Sequence, residues 1–314
     1  MRIKEDIMAQ QTTDRAPGGS KFAETIARLT ADGSRPTTAI PELSLYRRDA
    51  PSEPTSYLHG PSICLIAQGS KRVMLGEEAY VYDAHHFLIT SVGLPVVAQV
   101  IEASAAQPYL GLTLRLDLRV IAQLIMDSNL PLPRPRKSGR GMSVSEGSMP
   151  LLNAFQRLID LLDEPEDIPI LAPLVQREIY FRLLVGDQGE RLRQIVESGS
   201  QSHQIARAIE WLKENFTRPL RVDELAAYAS MSTSSFHHHF RALTAMSPLQ
   251  FQKWLRLQEA KQLMFTEHLD AASAALRVGY ESPSQFSREY SRLFGAPPLR
   301  DVRHLHKIAA GGVG

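Results

Sequence analysis

Hydrogen-bonding side chains stand at matching places in two copies of a short pattern near the end of the chain. They are Ser234, His237 and His238 in the first copy, and Ser284, Gln285, Ser287 and Arg288 in the second. Hydroxyl, amide, imidazole and guanidinium groups bind base edges and phosphates in the grooves of double-stranded DNA. We therefore predict that these residues contact DNA. We assign no catalytic residue, because the sequence has no Gly-rich phosphate loop, nucleophile elbow or metal-spaced cysteine cluster.

The two copies belong to an internal repeat. The first reads Ala226-x-x-Ala229-Ser230-Met231 followed by Phe236-x-x-x-Phe240, and the second reads Ala275-x-x-Val278-Gly279-Tyr280 followed by Phe286-x-x-x-Tyr290. The offset between equivalent positions is 49 residues before the turn and 50 residues after it. One extra residue therefore stands in the second turn, while the register on either side is kept.

Each copy has the layout of a helix-turn-helix. A short helix at residues 222–229 or 270–278 ends at a tight turn, where Gly279 suits a positive φ angle in the second copy. The next helix begins at Ser232 or Ser282, because a serine hydroxyl accepts a backbone N–H that the helix leaves unbonded.

One face of each second helix is predicted to pack inward. The residues on this face are Phe236, His239, Phe240 and Leu243 in the first copy, and Phe286, Glu289, Tyr290 and Leu293 in the second. The spacing i, i+3, i+4 and i+7 places each set on one side of a helix. His239 is therefore expected to be a core histidine, and the DNA-contact candidates lie off the buried face.

A longer helix is predicted between the copies, at residues 248–265, where apolar residues recur at helical spacing. A rigid helix here would let the two motifs enter successive major grooves, about 34 Å apart, on one side of the duplex. Arg256 on this helix has two interpretations that the residues leave open, namely phosphate binding and pairing with an acidic neighbour.

The charge distribution permits DNA binding without requiring it. The formal net charge of the chain is +1, but residues 203–307 contain 14 Lys and Arg against 10 Asp and Glu, a net of +4. Seven of the ten histidines also fall in this stretch. Such an excess is compatible with phosphate contacts and is also common on solvated surfaces.

The N-terminal half has a different pattern. Short runs rich in Val, Ile, Leu and Tyr occur at residues 62–68, 71–75, 79–82, 86–92, 96–102 and 109–116, separated by Gly, Pro and Asp. Closely spaced short strands predict an antiparallel sandwich or small barrel. Helices are predicted at residues 21–29, 117–127, 150–162 and 171–185, and an exposed loop at residues 131–147.

Two residues of this half are candidates for contact with a small ligand, Cys64 and His86. Cys64 lies in an alternating strand and is either a small buried hydrophobe or a reactive thiol that senses electrophiles or oxidants. His86 adjoins His85, and one of the two is a candidate to face a cavity. We predict no metal site and no cofactor. The adjacent His85 and His86 point to opposite faces of a strand, and the adjacent His237, His238 and His239 point about 100° apart on a helix, so neither set can bind one ion together.

The single cysteine cannot form an internal disulfide, which suits a reducing compartment. The first 20 residues lack an apolar signal segment, and no run of about 18 apolar residues is present. We therefore expect a soluble cytoplasmic protein without a membrane partner.

The C-terminal sequence resembles the AraC/XylS family of transcription regulators over residues 204–304. The motifs that carry the resemblance are Ala226-x-x-Ala229-x-Met231-Ser232-x-x-x-Phe236-x-x-x-Phe240, Ser247-Pro248, Arg256-Leu257-x-x-Ala260-x-x-Leu263, Val278-Gly279-Tyr280, Ser284-x-Phe286-Ser287-Arg288-x-Tyr290, Phe294-Gly295 and Pro298. The run from Pro61 to Lys71 and Leu94-Pro95-Val96 are similar to the sensor half of some members.

The resemblance implies an α+β fold: a cupin-like antiparallel β-barrel with flanking helices, then an all-α double helix-turn-helix domain. We predict a disordered tail at residues 1–20, a sensor and dimerisation domain at 21–190 and a DNA-binding domain at 198–308. The boundary falls in the polar, Gly- and Ser-containing segment 186–201. The implied partners are double-stranded promoter DNA, a small-molecule effector, a second copy of the chain and RNA polymerase.

The sequence departs from the family at informative places. The family often has glycine where this chain has Ser230 and Ala245, so these turns are expected to be strained. His238 stands where many members have an arginine, whereas Arg288 keeps that residue in the second copy. A neutral imidazole cannot make the bidentate contact with guanine that arginine makes. We therefore expect the second motif to supply more of the charge-assisted contacts.

Two alternatives remain open. One is a metal-dependent cupin enzyme, an isomerase or dioxygenase, fused to a DNA-binding domain, although no metal triad can be assembled from the sequence. The other is a regulator that needs no ligand and whose barrel only forms dimers. Our prediction is that the chain is not an enzyme.

Overall fold

The computed structural model describes residues 18–31, 33, 37–127 and 139–311. The strands of the N-terminal half are, in chain order, β1 Leu43–Arg48, β2 Thr55–His59, β3 Ser62–Gln68, β4 Ser70–Leu75, β5 Glu78–Asp83, β6 His86–Thr90, β7 Leu94–Glu102, β8 Tyr109–Arg115 and β9 Met142–Glu146. They form a five-stranded sheet, β1-β8-β3-β6-β9, and a four-stranded sheet, β2-β7-β4-β5. All neighbouring strands in these sheets are antiparallel.

The strand β3 shows how the layers pack. Ile63 and Leu65 are buried in a core shared with helices, whereas Cys64 and Ile66 are buried in a core shared with the four-stranded sheet. Successive side chains of a strand point to opposite faces of the sheet. The five-stranded sheet is therefore covered on both faces, by helices on one side and by the second sheet on the other.

Helices cover the outer face of the five-stranded sheet. They are α1 Gly18–Leu29, α2 Leu118–Asp127, α3 Met149–Asp160, α4 Ile168–Val185 and α5 Gly189–Val196, with a 3-10 turn at Leu161–Asp163. Ile26 of α1 and Phe155 of α3 are completely buried in the core that these helices share with the sheet. Residues 1–17 of the predicted disordered tail lie outside the described residues, but residues 18–20 begin α1 rather than continuing the tail.

Part of the predicted exposed loop at residues 131–147 is a strand instead. β9 pairs with β6, and Met142 is only 1% exposed. Residues 128–138 lie outside the described residues. Three strands without a sequence-based prediction, β1, β2 and β9, are all at sheet edges. An edge strand has one neighbour and needs fewer buried side chains, so its apolar signal is weak.

The polar segment 186–201 contains a helix, α5, rather than only a linker. Leu192 is completely buried in the core of the five-stranded sheet and its helices. Ile195, one helical turn later, is 2% exposed in the core shared with the C-terminal half. Two apolar residues at spacing i, i+3 are enough to attach this short, otherwise polar helix to both halves.

The C-terminal half is helical, as predicted. Its helices are α6 Gln201–Asn215, α7 Val222–Tyr228, α8 Thr233–Thr244, α9 Pro248–Thr266, α10 Ala271–Arg277, α11 Pro283–Phe294 and α12 Pro298–Gly311. We call α7 with α8 the first helix-turn-helix unit and α10 with α11 the second. The α+β fold class is thereby confirmed. Among the helices that the structure describes, none is both long and apolar enough to cross a membrane.

The two units have separate hydrophobic cores. Phe236 and Phe240 of α8 belong to a core that continues through α6 into the space between the β-sheets. Phe286 and Tyr290 of α11 belong to another core, which they share with α9 and α12. The first unit is therefore packed against the N-terminal half, and the second unit is packed mainly within the C-terminal half.

Candidate nucleic-acid interface and ligand cavity

The helix α8 presents the first set of predicted contact residues to solvent. Ser232 caps its N-terminus, because the serine Oγ accepts the backbone N–H of Ser235 at 3.3 Å. The inward residues Phe236 and Phe240 are completely buried. The three predicted contact residues on the opposite side, Ser234, His237 and His238, are exposed.

His239 differs from its prediction as a core histidine. The structure places its ring in a half-buried position beside His238, with ring centroids 5.0 Å apart. Partial burial lowers the pKa of His239, and the neighbouring His238 lowers it further. The helical spacing placed the residue at the margin of the buried face, where a polar ring remains partly hydrated.

The helix α11 repeats this arrangement with more charge. Ser282 accepts the backbone N–H of Gln285 at 3.3 Å, and Phe286 and Tyr290 are completely buried. The predicted contact residues Ser284, Gln285 and Arg288 are exposed, while Ser287 is half-buried. The structure therefore brings all four to the outer part of the helix.

The turns of the two units contain the expected strain. Ser230 and Ala245 have φ angles of 58° and 62°, in the left-handed region where a side chain is unfavourable. The corresponding glycines of the second unit, Gly279 and Gly295, have φ angles of 89° and 76° without that penalty. The first unit therefore retains left-handed turns at the cost of about 1–2 kcal/mol per strained residue.

Among the described residues, Arg256 of α9 binds backbone carbonyl groups rather than an acidic neighbour. Its guanidinium donates hydrogen bonds to the carbonyl oxygens of Phe216, Thr217, Arg218 and Gly279, at distances of 2.7 to 3.1 Å. These carbonyls belong to the segment after α6 and to the turn of the second unit. Arg256 thus joins the segment after α6 to the turn of the second unit, and periodicity alone gave no sign of these distant acceptors.

The N-terminal half contains a cavity of about 500 Å³ between its two sheets. Its walls include cations, aromatic rings and apolar side chains; among them are Arg48, Lys71, Arg115 and Lys213, Tyr46, Tyr57 and Tyr109, and Leu58, Ala98 and Val100. Lys213 comes from α6 of the C-terminal half. Beside this cavity, Gln258 Nε2 of α9 donates a hydrogen bond to Ser56 Oγ of β2 at 2.8 Å.

Cys64 lies beside this cavity. Its Sγ is 3.5 Å from His59 Nε2 and 3.3 Å from Thr113 Oγ1, and both of those residues line the cavity. Burial raises the pKa of the thiol, but the influence of His59, with smaller contributions from Lys71 and Thr113, outweighs it and lowers the pKa to about 7. Sequence reasoning missed His59, which stands at the end of an unpredicted edge strand.

The second ligand candidate, His86, lies elsewhere. Its Nδ1 is 2.8 Å from Asp83 Oδ1 at the half-exposed start of β6, and it is not part of the cavity wall. The structure therefore does not bring Cys64 and His86 together. Within the described ranges, no group of three or more His, Cys, Asp or Glu side chains is arranged to hold a metal ion.

Comparison with known proteins decides the family. Residues 39–191 match the family described as the N-terminus of AraC-type transcriptional regulators, and residues 225–303 match a helix-turn-helix domain. The chain belongs to the AraC/XylS family. The matches of this AraC family member therefore agree with the family that the sequence resembled, in the sheet domain as well as in the helix-turn-helix motifs.

Among curated relatives, the transcriptional regulator CdhR of Pseudomonas aeruginosa is 26% identical over 144 residues, which are 46% of this chain and 43% of CdhR. The transcriptional activator RhaS of Escherichia coli is 25% identical over 154 residues, which are 49% of this chain and 54% of RhaS. The alignments thus span about half the length of these relatives.

The fold of this AraC family protein is similar to that of ToxT from Vibrio cholerae. An apo ToxT variant matches with a TM-score of 0.54 and 11% identity, covering 85% of this chain and 98% of ToxT. ToxT bound to (E)-4-(8-methylnaphthalen-1-yl)but-3-enoic acid matches with a TM-score of 0.52 and 11% identity, covering 83% and 97%. At this identity the likeness concerns the fold.

Proposed function

We propose that this AraC family member is a transcription regulator that binds promoter DNA with α8 and α11 in major grooves. The observation that carries the proposal is the pair of exposed, hydrogen-bonding faces on two capped helices joined by α9. On α8 the face consists of Ser234, His237 and His238, and on α11 of Ser284, Gln285, Ser287 and Arg288. Exposed donors on a rigid helix are the groups that read base edges.

The two faces are expected to contribute unequally. Arg288 and Arg292 are both exposed on α11 and stand one turn apart, so they offer two permanent cations. Glu289 on the same helix is drawn inward, because its carboxylate accepts bonds from Lys253 Nζ and Tyr280 Oη, each at 2.8 Å. This arrangement keeps the acidic group away from DNA phosphates. The predicted contact residues of α8 offer only hydroxyl and imidazole groups.

Selection of duplexes from a random-sequence library by the full chain tests this proposal. A selected duplex should show two segments protected from hydroxyl radicals, about one helical turn apart on the same side. Its affinity should fall by about three orders of magnitude between roughly 50 and 200 mM salt if six or more phosphates are contacted. Absence of a selected sequence, or an affinity independent of salt, would contradict DNA reading.

We also propose that the cavity between the sheets binds a small organic anion as effector. Four cationic residues stand in its wall, and there is no carboxylate among the described residues that form it. Arg115 pairs with Glu42 and Lys213 with Glu210, outside the cavity. Lys71 acts directly on the interior, since its charge lowers the pKa of the buried Cys64. The arylbutenoic acid bound to ToxT is consistent with an anion in this fold.

Ligand in this cavity would contact both halves of the protein. Lys213 belongs to α6, which packs against the first helix-turn-helix unit, and the other lining residues belong to the sheets. A ligand with different affinity for two arrangements of the halves would therefore shift DNA binding or contact with RNA polymerase. We retain Cys64 as a candidate ligand contact, since it adjoins the cavity, and no observation favours His86.

Thermal unfolding with a panel of aryl and alkyl monocarboxylates, each paired with its primary amide, tests the anion proposal. Carboxylates should raise the melting temperature and the amides should not. Lys71→Gln should weaken carboxylate binding by about tenfold, because it removes a charge-assisted bond. Arg72→Gln is the matched control, since Arg72 is the next residue of β4 and points outward. The anionic site would be refuted if acids and amides raised the melting temperature equally. It would also be refuted if Lys71→Gln and Arg72→Gln weakened carboxylate binding equally.

The remaining partners are part of the same proposal. A second copy of the chain would cover the exposed apolar residues Ile170 and Leu174 of α4, which are 70% and 60% exposed. The sensor and DNA-binding domains are assigned to residues 21–190 and 198–308, with α5 beginning at the end of the first and filling most of the gap between them. Action in the cytoplasm follows from the role of a transcription regulator.

A further inference from the structure

The N-terminal half contacts the carboxyl end of α8. The last carbonyl groups of a helix have no partner within the helix and must be satisfied from outside. Here Arg140 Nη1 donates to the carbonyl oxygens of Arg241 and Ala242, at 2.9 and 3.0 Å. The backbone N–H of Gly141 donates to the carbonyl oxygen of Leu243 at 2.9 Å. A segment of one domain thus caps a helix of the other.

Arg140 also forms an ion pair with a carboxylate of the sheet domain. Its Nη2 lies 2.7 Å from Glu78 Oε1 at the start of β5, and the hydrogen bond from Arg140 is the main cause of the lowered pKa of Glu78. The guanidinium therefore bridges a carboxylate of the sheet and the negative end of the α8 dipole. A cation is favourable at that end of a helix.

Close packing around the cap leaves little freedom. A Cβ atom added to Gly76, in the turn between β4 and β5, would lie 2.9 Å from the Cβ of Ala245. A Cβ atom added to Gly141 would lie 3.0 Å from Val92 and 3.3 Å from the carbonyl oxygen of Leu243. Two glycines of the N-terminal half therefore press against the end of α8, where Ala245 already has a left-handed φ angle.

The second unit has a different attachment. Its helix α11 packs in the core formed with α9 and α12, whereas α8 lies in the core that continues into the sheets. The helix α8 also packs on α9, where the ring centroids of Phe240 and Phe251 are 5.6 Å apart, so its orientation relative to α11 depends both on α9 and on how the N-terminal half holds α8. With the cap in place, Ser234, His237 and His238 remain exposed, so the capped state is compatible with reading DNA.

We propose that Arg140 is a positioning residue for DNA reading, because it fixes the angle of α8 relative to α11 from the N-terminal half. This inference rests on the proposed reading of DNA by both helices. Loss of the guanidinium would release the end of α8 and leave α11 in place. The affected part of the operator is then the half read by α8.

Hydroxyl-radical footprints of the full chain on the selected duplex test this inference. Arg288→Ala first identifies the segment read by α11. Arg140→Ala should weaken protection of the other segment by roughly tenfold in protein concentration, because two charge-assisted bonds are lost. The α11 segment should change by less than about twofold at that concentration. Arg140→Lys, which keeps one donor and the charge beside Glu78, should restore part of the lost protection.

Arg47→Ala is the matched control. Arg47 pairs with Asp49 at 2.9 Å, and its side chain is 31% exposed, against 30% for Arg140, but it does not contact α8. Three results with Arg140→Ala would each overturn the positioning role. They are a footprint like that of the wild type, an equal loss of protection in both segments, and stronger protection of the α8 segment. If the wild-type chain protects no segment, the proposed function fails together with this inference. If the Arg140→Ala protein does not fold, the Arg140→Lys footprint decides instead. The inference then requires weaker protection of the α8 segment than in the wild type, with the α11 segment nearly unchanged.

Discussion

Gly279→Ala is expected to destabilise the second helix-turn-helix unit by about 3 kcal/mol and to abolish its DNA contacts. Gly279 has a φ angle of 89°, and a Cβ atom there would lie 2.2 Å from the carbonyl oxygen of Thr217. That oxygen is held by Arg256, so it cannot move without breaking the bond that ties the segment after α6 to α9. The substitution therefore combines backbone strain with a clash against fixed backbone.

Gly295→Ala is the matched control for this substitution. Gly295 has a similar φ angle of 76°, but a Cβ atom added there would meet no atom within 4 Å. Its cost should be the backbone strain alone, about 1 kcal/mol. Amide hydrogen exchange in α10 and α11 of the full chain measures the free energy of local opening in each variant. Equal losses in the two variants would show that contact with Thr217 does not limit the turn.

Arg288→Ala is expected to lower the affinity for the selected duplex by 1–3 kcal/mol, or about 5- to 150-fold. Arg288 is exposed on α11 and offers a bidentate donor pair to a guanine edge. His238→Ala removes the corresponding residue of α8, whose imidazole lacks the bidentate donor pair of a guanidinium. Its loss should cost less than about 1 kcal/mol. Fluorescence anisotropy at one fixed salt concentration measures both dissociation constants.

Arg277→Ala provides the charge control for that comparison. Arg277 carries the same charge but belongs to α10, where it lies 3.8 Å from Glu267. Its loss should change affinity little and should lower the salt dependence less than loss of Arg288 does. A silent Arg288→Ala together with a severe His238→Ala would reverse the ranking of the two motifs.

Cores and repeats were predictable because their signals are local. The spacing of Phe236 and Phe240, and of Phe286 and Tyr290, defined two buried helix faces, and serines at the helix starts defined their caps. The central strand β3 was predicted with its observed bounds but wrongly as an alternating strand, because burial on both faces makes its interior sequence continuously apolar. The edge strands β1, β2 and β9 lack that signal and were missed, whereas the edge strand β5 was predicted at residues 79–82. The short helix α5 carries only two buried apolar residues and was taken for a linker.

The sequence by itself therefore determined the α+β class, the repeated motif and the candidate DNA-contact residues, since each follows from residue type and short-range spacing. Tertiary structure alone decided that Arg256 binds four backbone carbonyls, that His59 adjoins Cys64 beside a cationic cavity, and that Arg140 caps α8. Each of these contacts joins segments that are separate along the chain or belong to different elements. Their partners are placed by the packing of whole layers, and no periodicity within one segment records that packing.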